Sequence, residues 1–284
     1  MTRARAWLVV ALACAALPAF AQDRVALEAT SIVWIPGGAF MMGASRGDRA
    51  YAVSLCESDL EVEVSSLDAG GCGGDRFDIE PAPRRVSIPT FGLDRTEVTN
   101  AAYGRCVLAG RCAPSATREG GVLATPNHPV VGVRWNDAVT YCRFVGGRLP
   151  SEPEWEKAAR GDDETRRFPW GRVYDSHLAN HGRSPVRTDP LDGFLETAPV
   201  GSFPGGASPY GVLDLAGNVW EWTNDVPVVP IDLGFDLSAS RIIRGGSYTQ
   251  AITTLRVTAR SWATLDAASS DLGFRCAYDE RPRP

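Results

Sequence analysis

Two carboxylates seven residues apart, Asp214 and Glu221, flank a glycine-containing turn in the segment YGVLDLAGNVWEW (210–222). Hard oxygens on a tight turn, with backbone carbonyls between them, suit a hard cation such as calcium. The rest of the chain offers less. Ser247, in RGGSY, has no assignable general base, and a structural role is the expectation for it. There is no phosphate loop and no dinucleotide fingerprint. Arg244, Arg256, Arg260 and Arg275 gather in the last part of the chain. They would either hold an anionic ligand or pair with buried carboxylates such as Glu97 or Glu221. Trp220, Trp222 and Trp262 read first as core.

The chain opens MTRARAWLVVALACAALPAFAQ, with two arginines, an apolar run from Ala6 to Leu17, and a small-x-small site at Ala19-Phe20-Ala21. This is the pattern of a cleaved signal peptide over 1–21, with a lipoprotein at Cys14 the lesser alternative. The expected location is therefore secreted or periplasmic. Cleavage takes two arginines and no acid from 29 basic and 34 acidic residues, leaving a net charge of −7. That charge disfavours nucleic acid and anionic membranes as partners. No later apolar run is long enough to span a bilayer. Six cysteines remain: Cys56, Cys72, Cys106, Cys112, Cys142 and Cys276. An even number in an exported chain suggests three disulfides, and six cysteines allow fifteen pairings. Cys56–Cys72 and Cys106–Cys112 are the cheap local choices, which leaves Cys142 with Cys276. A cysteine metal cluster is the weaker reading, since no C-x-x-C pair exists.

The elements that must position these residues read as follows. Residues 22–30 form a short tether. Ser31–Ile35 and Ala39–Met42 are strands split by a Pro36-Gly37-Gly38 turn. Residues 44–82 are polar and Gly/Asp-rich and read as an excursion loop stapled by Cys56–Cys72. Arg85–Ile88 is a further strand. Thr99 caps a helix to about Leu108, ended by Gly110. Asn136 caps a second helix, in which Ala138, Tyr141, Cys142 and Phe144 recur at helical spacing up to Gly146-Gly147. Ser151-Glu152-Pro153-Glu154 is a capping box opening a third helix that ends near Gly161. Beyond Gly161, regular structure should be sparse. The expected fold class is α+β, a single irregular domain over 31–280 with an insertion at about 44–82.

Seven segments, in this order, carry a family resemblance: IPGGAFMMGA (35–44), DRTEVTNAAY (94–103), HPVVGVRWNDAVTYCRFVGGRLPSEPEWEKAARG (128–161), FPWG (168–171), PVGSFPGGASPYGVLDLAGNVWEWTND (199–225), RIIRGGSY (241–248) and DLGFRC (271–276). Together they resemble the formylglycine-generating enzymes, or sulfatase-modifying factors, over nearly all of the mature chain. The resemblance implies a variant of the C-type-lectin-like fold with little regular secondary structure. It also implies a disulfide between Cys142 and Cys276. For calcium it implies one site at Asp214 and Glu221 with the carbonyls of Gly217 and Val219. A second site is implied at Asn180 and Asp192 with the carbonyls of His181 and Phe194.

The enzymes of this family oxidise a substrate cysteine with molecular oxygen, using copper held by two cysteines shortly after the GGS motif. At the matching positions stand Gln250 and Leu255. Neither holds Cu(I), which wants soft thiolates, so copper and formylglycine generation are not expected. A branch of the superfamily uses iron on a His-x3-His-x-Glu run. His177 and His181 have the spacing, but Arg183 stands where Glu belongs and the stretch reads as a loop. The expectation is a calcium-stabilised binding or accessory module for a peptide, glycan or protein. The alternative is a divergent metal-dependent oxidase that modifies a peptide or small molecule in the periplasm.

Overall fold

The computed structural model describes residues 31–60, 72–73, 77–116, 121–182, 190–229 and 236–279. The expected signal peptide and tether lie outside the described residues, as do parts of the 44–82 insertion. In chain order, β1 is Ile32–Ile35, β2 Gly38–Met42, α1 Arg46–Leu60, β3 Arg84–Ile88, β4 Phe91–Asp94, α2 Asn100–Leu108, α3 Trp135–Phe144 and α4 Glu152–Arg160. Five short strands follow: β5 Trp220–Trp222, β6 Ser240–Arg244, β7 Arg260–Thr264, β8 Leu272–Gly273 and β9 Ala277–Tyr278. They form a three-stranded sheet β1-β4-β9, a two-stranded ribbon β2-β3 and a four-stranded sheet β7-β6-β5-β8. All pairings are antiparallel except β5 with β8.

The first strands and the helices follow the sequence signals closely. Thr99 Oγ1 accepts the Ala102 N–H at 3.1 Å and starts α2. At α4, Glu154 Oε2 accepts the Ser151 N–H at 2.8 Å, completing the capping box, and Gly161 ends the helix at φ 68°. The α3 boundary moves. Arg134, not Asn136, is the capping residue, because the Asp137 carboxylate reaches back to the Arg134 N–H at 3.2 Å.

The insertion departs from the loop reading, since residues 46–60 are a helix. Its buried positions are Asp48, Ala52, Leu55, Cys56 and Asp59. That spacing is helical, but two of the five are acids, so no apolar stripe announces it. The helix is also not a remote excursion. It packs on the 3-10 turn Ile252–Leu255, with Leu55 in one apolar cluster with Ile252, Leu255 and Phe168. Glu80, later in the insertion, pairs with the buried Arg256.

The strands after Gly161 are short, and β5 is buried on both faces, so apolar–polar alternation does not mark it. The largest cluster joins α2, α3 and the end of the chain. Tyr141 packs edge-on to Phe274 with centroids 5.5 Å apart and stacks on Tyr103 at 5.6 Å. All three expected disulfides are present: Cys56–Cys72, Cys106–Cys112 and Cys142–Cys276. The last closes a sequence separation of 134 residues, a constraint on the unfolded chain of about 4–5 kcal/mol in the chain-entropy account.

Candidate functional site

Two of the segments singled out for calcium, around Asn180 and around Gly217, meet at one buried junction. The segment Asp214–Asn218 has three left-handed positions: Asp214 at φ 56°, Gly217 at φ 78° and Asn218 at φ 61°. Two of them are not glycine, a conformation that persists only where surrounding contacts hold it. A Cβ at Gly217 would stand 2.1 Å from the Asn180 carbonyl oxygen, so only glycine lets the two loops meet. Asn218, absent from the sequence-based set, ties them together. Its N–H donates to the Asn180 carbonyl at 2.7 Å, and its Oδ1 accepts from Asn180 Nδ2 at 3.2 Å and from the Ala198 N–H at 2.8 Å. Its Nδ2 donates to Glu97 Oε1 at 3.0 Å.

Two buried oxygens at this junction accept no hydrogen bond among the described residues: Asn180 Oδ1 and Glu97 Oε2. Glu97 interacts with the Asp214 carboxylate. Two carboxylates bond to one another only when one keeps a proton, and a cation between them serves the same end. Burial, and then the Asp214 charge, pushes the Glu97 carboxyl well above its usual range, and burial raises Asp214 as well.

Glu221 is differently placed. Its Oε1 accepts from Arg275 Nη2 at 2.7 Å, and its Oε2 accepts from Arg275 Nε at 2.7 Å and Trp155 Nε1 at 2.9 Å. In the second set, Asp192 Oδ2 accepts the His181 N–H and Oδ1 the Phe194 N–H, each at 2.9 Å. This brings Asp192 to the residues beside Asn180. Among the described residues, no three His, Cys, Asp or Glu side chains are grouped so as to hold a metal ion. Any cation here would rest on amide and carbonyl oxygens as much as on carboxylates. The unpartnered Asn180 Oδ1 fits such a role. Glu221, taken by Arg275, fits it less well.

The GGSY turn is built for a different end. Gly246 is left-handed at φ 76°, and a Cβ there would meet Thr254 Oγ1 at 2.5 Å. Ser247 is fully buried and donates to Asp271 Oδ2 at 2.9 Å; Thr249 donates to the same oxygen at 2.7 Å. No histidine or lysine is among the partners of Ser247. Gln250 Nε2 donates to Thr249 Oγ1 at 3.3 Å, and Leu255 is fully buried in the apolar cluster beneath α1. These residues do not fit copper. Leu255 carries no donor atom, and the six cysteines of the described residues are all disulfide-bonded.

Each of the four arginines pairs with a buried carboxylate: Arg244 with Glu156 at 2.7 Å, Arg256 with Glu80, Arg260 with Glu152 at 3.0 Å and Arg275 with Glu221 at 2.7 Å. Trp222 is fully buried, while Trp262 is half-buried. Both ring nitrogens of His181 are engaged, Nε2 with the Tyr174 hydroxyl and Nδ1 with the Gly182 carbonyl, both at 2.8 Å. His177 pairs with Asp175 at 3.2 Å, and Arg183 lies outside the described residues. His128 bonds Thr197 Oγ1 at 2.9 Å, and burial lowers its pKa. No helix among the described residues is long and apolar enough to cross a membrane.

The chain is similar to several known proteins. The formylglycine-generating enzyme of Mus musculus is 42% identical over 314 residues, covering 90% of this chain and 77% of that protein. The inactive C-alpha-formylglycine-generating enzyme 2 of Bos taurus is 41% identical over 275 residues, covering 88% of each. The solved structure of PvdO from Pseudomonas aeruginosa superposes with a TM-score of 0.61 at 25% identity, covering 87% of this chain and 93% of that one. The sequence model of the sulfatase-modifying factor enzyme 1-like domain matches residues 18–280, and the chain belongs to that family.

Proposed function

We propose that this protein is an exported member of the family without formylglycine-generating activity, acting as a calcium-stabilised module that binds a peptide, glycan or protein. The observation that carries this reading is Leu255, a hydrocarbon side chain buried under α1 where the resemblance expects a copper-binding cysteine. Packing of that kind leaves neither a soft donor nor a free coordination position.

Calcium is the cation we assign to the junction. Asn180 and Asp192 would bind it by side chain and His181 and Phe194 by carbonyl. Asp214 would bind by side chain beside the carbonyls of Gly217 and Val219, with Glu221 behind them. The unpartnered Asn180 Oδ1 and the facing carboxylates of Glu97 and Asp214 support this assignment. Bound there, calcium supplies positive charge that offsets buried acids and joins loops that share few backbone bonds.

The test is the metal content of the mature protein, purified from an oxidising compartment without chelator. One to two calcium ions per chain with no copper or iron is the expected result. A stoichiometric transition metal would overturn the reading and favour the oxidase alternative.

A further inference from the structure

The three disulfides are unequally sheltered. Cys106, Cys112, Cys142 and Cys276 all belong to the largest apolar cluster, with Tyr103, Tyr141 and Phe274. Those two bridges open only when that core opens. Cys56 and Cys72 lie apart, in a small cluster with Ala52, Val53 and Phe77. Cys56 is buried, while Cys72 is half-buried, the most exposed of the six. Bridges that are exposed, or that lie in a segment able to open locally, are the ones that exchange with thiols.

The helix that carries Cys56 is held firmly at one end. Asp48 Oδ1 is 3.5 Å from Arg167 Nε, and Arg49 Nη2 donates to the Glu80 carbonyl at 2.7 Å. Arg167 lies over Tyr51, its Cζ 4.3 Å from the ring centroid. The other end is built against itself. The last turn of α1 has no basic residue, and Glu57 and Asp59 stand there. Negative charge at a helix C-terminus opposes the macrodipole. A helix of 15 residues is not sustained by its own hydrogen bonds either. The bridge from Cys56 to Cys72 is the covalent hold on this end. Beside it lies a cavity of about 220 Å3, with Ser58 and Asp59 of α1 on one side and Tyr174, His181 and Ile252 on the other. Whatever fixes the end of α1 therefore fixes one wall of that cavity.

We propose that Cys56–Cys72 is a redox switch on the C-terminal half of α1, closed as the disulfide and opened by a dithiol. One thiolate of the dithiol attacks Cys72 Sγ. The Cys56–Cys72 bond breaks, and its electron pair leaves on Cys56 Sγ, which takes a proton and stays among Ala52 and Phe77 as a neutral thiol. The second thiol of the reductant then attacks the mixed disulfide and releases Cys72 as a thiol. The protein gains two electrons and two protons, and the dithiol departs as its own disulfide. With the bridge gone, the end of α1 frays and the cavity wall formed by Ser58 and Asp59 moves off Ile252. The two bridges in the large core stay closed throughout.

Titration of the full chain with dithiothreitol, followed by alkylation and peptide mass mapping, tests the selectivity. Cys56 and Cys72 should become alkylated at a dithiol concentration at least about tenfold below that needed for the other four cysteines. Reduction of either core bridge at the same or a lower concentration would overturn the proposal. Amide hydrogen exchange on the selectively reduced chain tests the opening. Residues 53–59 should exchange at least about tenfold faster than in the oxidised chain, while α3 and α4 keep their rates. Unchanged exchange over 53–59 would reduce the bridge to a passive staple and overturn the switch. Cys56→Ser combined with Cys72→Ser should exchange fast over 53–59 with no reductant present, and slow exchange in that variant would overturn it as well.

Discussion

The Asp214–Asn218 junction and the GGSY turn share a backbone signature, since both force the chain through successive left-handed residues. They differ in what the strain leaves behind. At the junction, Asn180 Oδ1 and Glu97 Oε2 are buried and accept no hydrogen bond among the described residues. At the turn, the Ser247 and Thr249 hydroxyls close on Asp271, and Leu255 packs under α1. Strain alone therefore does not mark a ligand site in this molecule. The calcium we propose at the junction rests on strain beside unsatisfied acceptors, because a buried polar atom without a partner carries a desolvation cost that a ligand would relieve.

The comparison can be broken most forcefully through Arg275. Its charge acts on both Glu97 and Asp214, and it satisfies Glu221 on two oxygens. Arg275→Met should destabilise the fold by about 3–5 kcal/mol, since it leaves a buried carboxylate unpaired. Urea unfolding measures this, and a loss below about 1 kcal/mol would mean that the junction tolerates its acids without a counter-charge. Leu255→Ala probes the other region. If the turn is held by apolar packing, the loss is about 2–5 kcal/mol and does not depend on calcium. A calcium-dependent loss would erase the distinction between the two regions.

Calcium itself should separate them next. At a concentration about a hundredfold above its Kd, it adds about 2.7 kcal/mol. Melting in chelator and in calcium should therefore diverge for the unmodified chain and coincide for Asn180→Ala. The smallest effect concerns His128. Its folded pKa is lowered by burial, so the stability linked to its neutral form is present above the ordinary histidine value and is lost as pH falls through the folded one. His128→Gln should flatten the acid side of the melting profile, and an unchanged profile would remove His128 from the account.

Much of the scaffold was legible in the sequence because local signals were strong. The caps at Thr99 and Ser151, the turn between β1 and β2 and the cysteine arithmetic all rest on short-range chemistry. The helix α1 was hidden because its inward face carries Asp48 and Asp59, so its burial pattern is helical without being apolar. Strand β5 was hidden for the opposite reason, since both of its faces are buried. In the candidate site, Asp214 and Asn180 were readable from motif positions. Asn218 was not, although it bonds both loops, because an asparagine beside a glycine reads as an ordinary turn residue. The insertion's seat on the Ile252–Leu255 turn depends on contacts some two hundred residues apart, and no window along the chain reports it.

The Cys142–Cys276 bond has a mechanical consequence. Cys276 directly precedes β9, so tension applied at the C-terminal end passes into α3 once the two residues of β9 are stripped from β4 and from Arg148. The 134-residue separation between the two cysteines is then shielded from stretching. The GGSY turn and the Asp214–Asn218 junction both lie inside it. A load that peels away the outermost strand would leave both intact.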